Sequence, residues 1–357
     1  MDILLIVAVF FALALLQAGL FSRFALRGFS YRRRFPVPTA TCGDTVEFDE
    51  VISNRDPLFL PWVRLEMRIP PSFEFRTREE VDIRGNNYHK SVFTLMPFSQ
   101  VTRRHRVVLH QRGHFVLTSA SLTASDLLGV RRVDRDFEAP AELFVYPALL
   151  DGTEDLPSSR AQGDVSVMRW IQPDPFLVNG IRSYRAGDPE RDIHWAATAR
   201  MGELQVKTHD YTADPKLLVI INMQKAEDQW GDLMAYEQQP IEQAISLAAT
   251  LCLRALGQGI EAGFAANMPL DAEEECTFLP PARGTGREEE LLRAMACLQI
   301  RRVRTFNTFL DQLPGMQGMD IVILSCYDSP ALRERMGRLA QLGNSVTLRR
   351  IEVMADA

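Results

Sequence analysis

Leu217-Leu218-Val219-Ile220-Ile221-Asn222-Met223 is a nearly continuous apolar run, the pattern of a strand covered on both faces. After it, Ile241–Gly257 repeats apolar residues at helical spacing, and Ile260–Asn267 returns to a strand pattern. Parallel neighbours need such a crossover, so the three segments read as a βαβ unit. Further on, Thr285-Gly286-Arg287-Glu288 fits a capping box opening a helix over Glu288–Leu298. Met319–Cys326 is a second buried-strand run, Ser329-Pro330 starts a helix that Gly343 stops, and Ser345–Val353 reads as the last strand. This alternation predicts an open, doubly wound α/β domain.

Upstream the pattern is different. Between Thr41 and Pro147 the short runs Thr45–Ile52, Trp62–Ile69, His105–His110, His114–Leu117 and Ala141–Tyr146 are rich in β-branched and aromatic residues. Asn, Asp, Gly and Pro turns separate them, which predicts an all-β, immunoglobulin-like sandwich. Val46-Glu47-Phe48-Asp49-Glu50-Val51 alternates so that apolar residues fall mostly on one face, as in a sheet with one wet side. Leu149–Asp164 loses all periodicity and gains turn formers, marking a boundary. The expected division is therefore an anchor and basic flank over 1–35, a sandwich over 36–148, a linker over 149–180 and the α/β domain over 181–357.

Ile3–Phe21 has Gln17 as its one strongly polar side chain, and its length matches a hydrocarbon core of about 30 Å. A cleaved signal peptide would have a basic start and a shorter apolar core, whereas the early charge here is Asp2, so one transmembrane helix is expected. Arg23, Arg27, Arg32, Arg33 and Arg34 follow with no acid among them. The positive-inside bias then places the soluble body in the cytoplasm, and the arginines within reach of anionic lipid. The whole chain carries a formal charge of -6, which argues against nucleic acid as a main partner. Setting aside the basic flank leaves the body still more acidic and expected to be repelled by a bare membrane. Cys42, Cys252, Cys276, Cys297 and Cys326 form no CxxC pair and suit a reducing compartment.

The densest group of chemically capable residues is Arg182-Ser183-Tyr184-Arg185-Ala186-Gly187-Asp188-Pro189-Glu190-Arg191-Asp192-Ile193-His194-Trp195, continuing through Arg200 to Lys207. Gly187-Asp188-Pro189 is a turn able to hold Asp188 beside Arg185 or Arg191, with Trp195 expected to anchor the loop on the domain core. From composition alone the segment also reads as a solvated charged turn. The order Arg-x-Tyr-x-x-Gly-Asp-x-x-Arg-x-Ile-His-Trp, then Ala-Arg and Leu-x-Val-Lys, resembles the signature of the bacterial family called domain of unknown function 58. Gly43-Asp44, Asn54-Arg55, Arg112-Gly113, Ser125–Gly129 and Val145-Tyr146-Pro147 are also placed as in that family. The resemblance implies a membrane-anchored β-sandwich followed by a von Willebrand factor A-like domain. It also implies a MoxR-type AAA+ ATPase as partner and a transglutaminase-like membrane protein as a further neighbour, at the bacterial inner membrane. Many members resemble a pair of N-terminal transmembrane helices, where this chain has room for one.

Von Willebrand A domains hold a divalent ion through Asp-x-Ser-x-Ser after the first strand. Here Asn222-Met223-Gln224-Lys225 stands at that place, so the anionic ligand and both hydroxyls are replaced and no tightly bound metal or other cofactor is expected. Ser325 and Asp328 remain as oxygen donors to a weak site, or as turn and cap residues. His105, His110 and His114 read as surface histidines on strands, since His105 points away from the other two. Arg283-Gly284-Thr285-Gly286 lacks the Walker lysine. The expected function is a non-enzymatic adaptor whose recognition surface comprises Arg182, Tyr184, Gly187, Asp188, Arg191, His194, Trp195, Arg200 and Lys207. The alternatives are a metal-assisted hydrolase using Asp188, Asp192 and His194, and an envelope ligand sensor.

Overall fold

The computed structural model describes residues 2–76, 88–150, 178–185, 190–209, 216–229, 231–271 and 274–351. The chain forms two compact units, Met1–Ala148 with Met295–Cys297, and Leu149–Ala294 with Leu298–Ala357.

The first unit opens with helix α1 (Asp2–Phe24), long and apolar enough to cross a membrane, with a window of mean hydropathy 2.7 within Ile3–Phe24. The strands that follow are β1 (Phe29–Arg34), β2 (Thr39–Thr41), β3 (Thr45–Asn54), β4 (Leu60–Arg68), β5 (Phe73–Phe75), β6 (Tyr88–Leu95), β7 (Ser99–Leu109), β8 (Gly113–Ser125) and β9 (Arg132–Tyr146). One sheet has the order β1-β3-β7-β5 and the other β2-β9-β8-β4-β6. Their inner faces share one core, in which Phe48, Ile52 and Leu109 of the first sheet meet Leu65, Leu122 and Leu143 of the second. This is a β-sandwich.

The sandwich begins earlier than position 36. Phe29–Arg34 pairs antiparallel with β3 from Phe29↔Asn54 to Arg34↔Asp49, so part of the expected basic flank is an edge strand. Alternation turns Arg33 inward, where it is buried. Its Nε donates to the Ala139 carbonyl at 2.6 Å and its Nη2 to the Ser119 carbonyl at 3.2 Å. The β8–β9 register shifts between Leu117 and Ser119, next to Pro140, which has no N–H to offer the ladder. Arg33 thus satisfies carbonyls at an interrupted ladder and does not reach lipid.

The second unit contains β10 (Val178–Ser183), α2 (Trp195–Met201), β11 (Gln205–His209), β12 (Lys216–Ile221), α3 (Gln239–Gly257), β13 (Glu261–Ala266), β14 (Thr277–Ala282), most of α4 (Arg287–Cys297), α5 (Phe306–Gln312), β15 (Asp320–Ser325), α6 (Pro330–Gln341) and β16 (Ser345–Arg350). Its main sheet has the order β14-β13-β12-β15-β16, with β12 parallel to β13 and to β15, and β15 parallel to β16. Leu218, Ile220, Ile321 and Ile323 face α5 and α6 through Phe306, Phe309, Leu310, Leu332 and Leu339. Helix α3 packs on β12 and β13 and is not part of that cluster, so it covers the alternate face. Helices therefore lie on both faces of the sheet.

Three features depart from the sequence reading. Strand β14 runs antiparallel at the sheet edge despite Pro280 and Pro281, as prolines in sheets must. Helix α5 is additional, capped by Thr305 Oγ1 accepting from Thr308 N. The Thr285 capping box does not form, because Gly286 itself is the cap, at φ 87°, with no side-chain bond. Arg287, freed from that pattern, turns inward and donates to the carbonyls of Ala262 and Pro280 beside the β13–β14 register shift.

Gly263 lies at that shift, where a Cβ would come within 2.6 Å of Pro281 N and 2.8 Å of the Leu279 carbonyl. Gly263→Ala is therefore expected to destabilise the α/β unit by about 1–3 kcal/mol through backbone displacement. Denaturant unfolding of the full chain measures it. A loss of a few tenths of a kcal/mol would show that the edge strand moves aside freely.

Candidate functional site

The signature segment folds as a small module. Strand β10 pairs antiparallel with β11, setting Arg182 opposite Val206 and Ile181 opposite Lys207, and Tyr184 N continues the ladder to the Leu204 carbonyl at 2.9 Å. A 3₁₀ turn at Glu190–Asp192 leads to Ile193, which bridges Val206, and both are buried. His194 N donates to the Gln205 carbonyl at 2.8 Å, while its Nδ1 accepts from Ala197 N at 3.0 Å and so caps α2. Gly202 ends the helix at φ 75°, and Thr198 Oγ1 accepts from Gln205 N. Helix α2 has no buried residue, so these polar tethers, not packing, hold its seven residues in place.

Trp195 is consequently 68% exposed, which corrects its expected role as a core anchor. Ile181, Tyr184, Met201 and Leu204 are exposed too, among the exposed side chains of Arg182, Arg185 and Arg200. Lys207 is half-buried on β11. Gly187 and Asp188 lie outside the described residues, and Arg191 is placed only by its backbone in the 3₁₀ turn.

The second expected site lies where β12 has parallel neighbours on both sides, the switch point at which open α/β sheets bind ligands. Asn222 Nδ2 donates to Ser325 Oγ at 3.0 Å, and Asn222 Oδ1 accepts from Gln224 N. Gln224 Oε1 accepts from Phe306 N, and Asn267 Oδ1 from Met223 N. Asn222, Gln224, Asn267 and Ser325 are all buried. The Asn222–Ser325 pair and backbone N–H groups thus satisfy these neutral side chains. Asp328 is not among them, because Arg333 grips its carboxylate at 2.9 and 2.6 Å and holds it below the usual carboxylate range.

A third constellation escaped the sequence reading. Glu50, His89 and His105 meet inside the sandwich, each offering a donor atom within 4.8 Å of the others, a spread compatible with a cation. His105 is buried, which corrects its assignment to the surface, whereas His110 and His114 lie nearer solvent beside Glu74 and Glu142. Glu50 has both oxygens engaged: Tyr31 donates to Oε1 at 2.6 Å, and His105 Nε2 lies 2.9 Å from Oε2. Burial opposes its charge, but these bonds prevail and hold it below its ordinary value. Burial and the Glu50 charge push the Tyr31 hydroxyl up. Both ring nitrogens of His89 lack a hydrogen-bond partner. The ring stacks on Phe75 at 4.8 Å, and burial lowers its pKa to about 4, leaving it neutral. As built, the group is a hydrogen-bonded core network with a neutral imidazole beside it.

Residues 180–323 match the family described as "Protein of unknown function DUF58". The chain resembles that family. None of the curated proteins matches it. Among solved structures, a non-cellulosomal cohesin from Archaeoglobus fulgidus aligns at 13% identity over 32% of this chain and 91% of its own, with a TM-score of 0.23. The CARDB domain of the PF1109 protein from Pyrococcus furiosus aligns at 10% identity over 34% and 96%, with a TM-score of 0.22. A cohesin module from a Clostridium perfringens family 33 glycoside hydrolase aligns at 10% identity over 32% and 96%, with a TM-score of 0.24. The DUF58 match takes in the signature module and Asn222, Gln224 and Asn267 at the switch point, ends before Ser325, and leaves out α1 and the Glu50 network.

Proposed function

We propose that the chain is a membrane-anchored, non-enzymatic adaptor whose α/β unit, von Willebrand A-like in type, docks a MoxR-type AAA+ ATPase through the Arg182–Lys207 segment. It works at the bacterial inner membrane with its soluble body in the cytoplasm, beside a transglutaminase-like protein. The family resemblance supplies the partner class. The observation that carries the reading is the exposure of Trp195 on a helix held by polar tethers. A large aromatic kept in water beside arginines is the composition of an interface anchor. The hydrolase alternative gains nothing comparable, since the His194 Nδ1 serves as a helix cap.

Trp195→Ala is the decisive variant because the exposed ring contributes little to the fold. Affinity capture of the full chain in detergent from its native cells, with and without ATP, is expected to recover an AAA+ ATPase identified by mass spectrometry. The variant should bind that ATPase with about 30-fold lower affinity, the loss of one central aromatic anchor, while melting as the parent does. Recovery of the ATPase at parental levels by Trp195→Ala, or by neither chain, would sink the reading.

A further inference from the structure

We infer that one end of the β-sandwich is itself seated in the membrane interface, with the β6–β7 and β8–β9 loops inserted among the lipid headgroups around the anchor. The register places both loops at that end. Phe29, the first residue after the α1 connection, pairs with Asn54, and Asn54 with Ser99, so the β6–β7 loop at 96–98 lies beside the helix exit. Leu60 pairs with Leu95, and Trp62 with Ser125, which brings the β8–β9 turn at 126–131 to the same end. Hydrogen bonds tie this end together: Gly28 N donates to Asp56 Oδ2, Phe98 N to the Asp56 carbonyl and Arg135 to the Leu26 carbonyl.

The side chains these loops present are apolar. Phe98 is 72% exposed, Leu127 65% and Val130 61%, with Met96 and Leu128 beside them in sequence. Phe98 holds φ at 51°, a backbone conformation unfavourable for a bulky residue, while its ring points to the surface. Arg23, Arg27, Arg55, Arg131 and Arg132 are all exposed at the same end. Acids near this end accept hydrogen bonds within the sandwich, Asp56 from Gly28 N, Asp126 Oδ1 from Arg131 N and Asp134 from Thr123 Oγ1. Apolar loop tips ringed by arginine match the chemistry of an anionic bilayer interface. The depth agrees. Ala18 and Phe21 belong to the apolar span yet are buried, Phe21 within the sandwich core cluster, so protein already reaches about 9 Å back along the helix from Phe24. The acidity of the whole body does not oppose this, because the charge is local.

The inference rests on α1 being a membrane span, and the test separates the two. Single tryptophans are introduced into the full chain as Phe98→Trp, Leu128→Trp, Val116→Trp on β8 near the opposite end, and Phe10→Trp inside α1. Each is reconstituted in nanodiscs of phosphatidylglycerol and phosphatidylcholine, with and without bromine on the acyl chains near the headgroups, and the parental emission is subtracted. The added emission at positions 98, 128 and 10 should be mostly quenched by the brominated lipid, and that at 116 left intact. Quenching at 10 with none at 98 and 128 would overturn the seating and keep the anchor. No quenching at 10 would remove both.

Discussion

Glu50→Ala is expected to cost the sandwich about 3–5 kcal/mol, the range for removing one member of a buried charged group. The carboxylate is fully buried, and Tyr31 and His105 both direct polar atoms at it from neighbouring strands of the same sheet. Without it the Tyr31 hydroxyl keeps Arg33 and a 4.0 Å contact with Met67 Sδ, and both Tyr31 and His105 lose a charged acceptor inside the core. Arg33, buried beside them, loses the favourable charge of Glu50. Tyr31→Phe removes one bond to a charged acceptor and should cost about 1.5–3 kcal/mol. Replacing Glu50, Tyr31 and His105 together by apolar residues of similar volume should recover much of the loss, because the hydroxyl and imidazole that lose their acceptor are removed with it. Denaturant unfolding of the full chain in detergent, followed by circular dichroism, ranks the three. A Glu50→Ala cost below about 1 kcal/mol would mean that the network is not a structural unit.

The elements legible in the sequence are those whose apolar period is undiluted. Leu217–Ile221 and Met319–Cys326 could be read as buried strands because all their side chains but that of Asp320 are buried, with α5 and α6 over one face of the sheet and α3 over the other face at β12. Helix α5 has seven residues, too few to display a period, and β14 carries two prolines that demote it on propensity. What makes β14 possible is non-local: Gly263 admits the proline backbone, and Arg287 satisfies the carbonyls that the prolines cannot pair. Arg33 serves the sandwich in the same way next to Pro140. Arg33, expected in the basic flank, and Arg287, expected within a capping box, are thus buried caps of interrupted ladders.

The candidate sites divide along the same line. The signature segment stood out because its charges, turn and aromatics are consecutive, but the exposure of Trp195 depends on how α2 is tethered, which composition does not reveal. The Glu50 network was hidden by being distributed over separate strands. Its signal is nevertheless in the alternation, since Glu50 is in phase with Val46, Phe48 and Ile52, and His105 with Val107 and Leu109. A charged or titratable residue in phase with a buried stripe marks a core network, and reading each one singly as a surface residue misses it.

The sandwich should also lose stability in mild acid, by about 3 kcal/mol between pH 7 and pH 4, with His89 responsible for most of it. In the unfolded chain His89 has the model value of 6.5, and in the folded chain its pKa lies near 4, chiefly through burial, with Arg103 and His105 adding to the depression and Glu50 opposing it. A base so depressed binds more protons unfolded than folded between these two values. Stability is therefore fully present above about pH 6.5 and declines as the pH falls toward 4. Glu50 acts in the same direction at lower pH, because its folded pKa is below 4.5 and its contribution disappears only once it is protonated. His89→Phe keeps the ring against Phe75 and removes the titrating group with its two unpartnered nitrogens. The variant should be nearly flat between pH 7 and 4.5, and more stable than the parent at pH 5, where the parent has already lost about 2 kcal/mol. Unfolding free energies at half-unit pH intervals decide the matter. If the variant declines as steeply as the parent over that window, the acid lability comes from some other group and the neutral buried state of His89 is wrong.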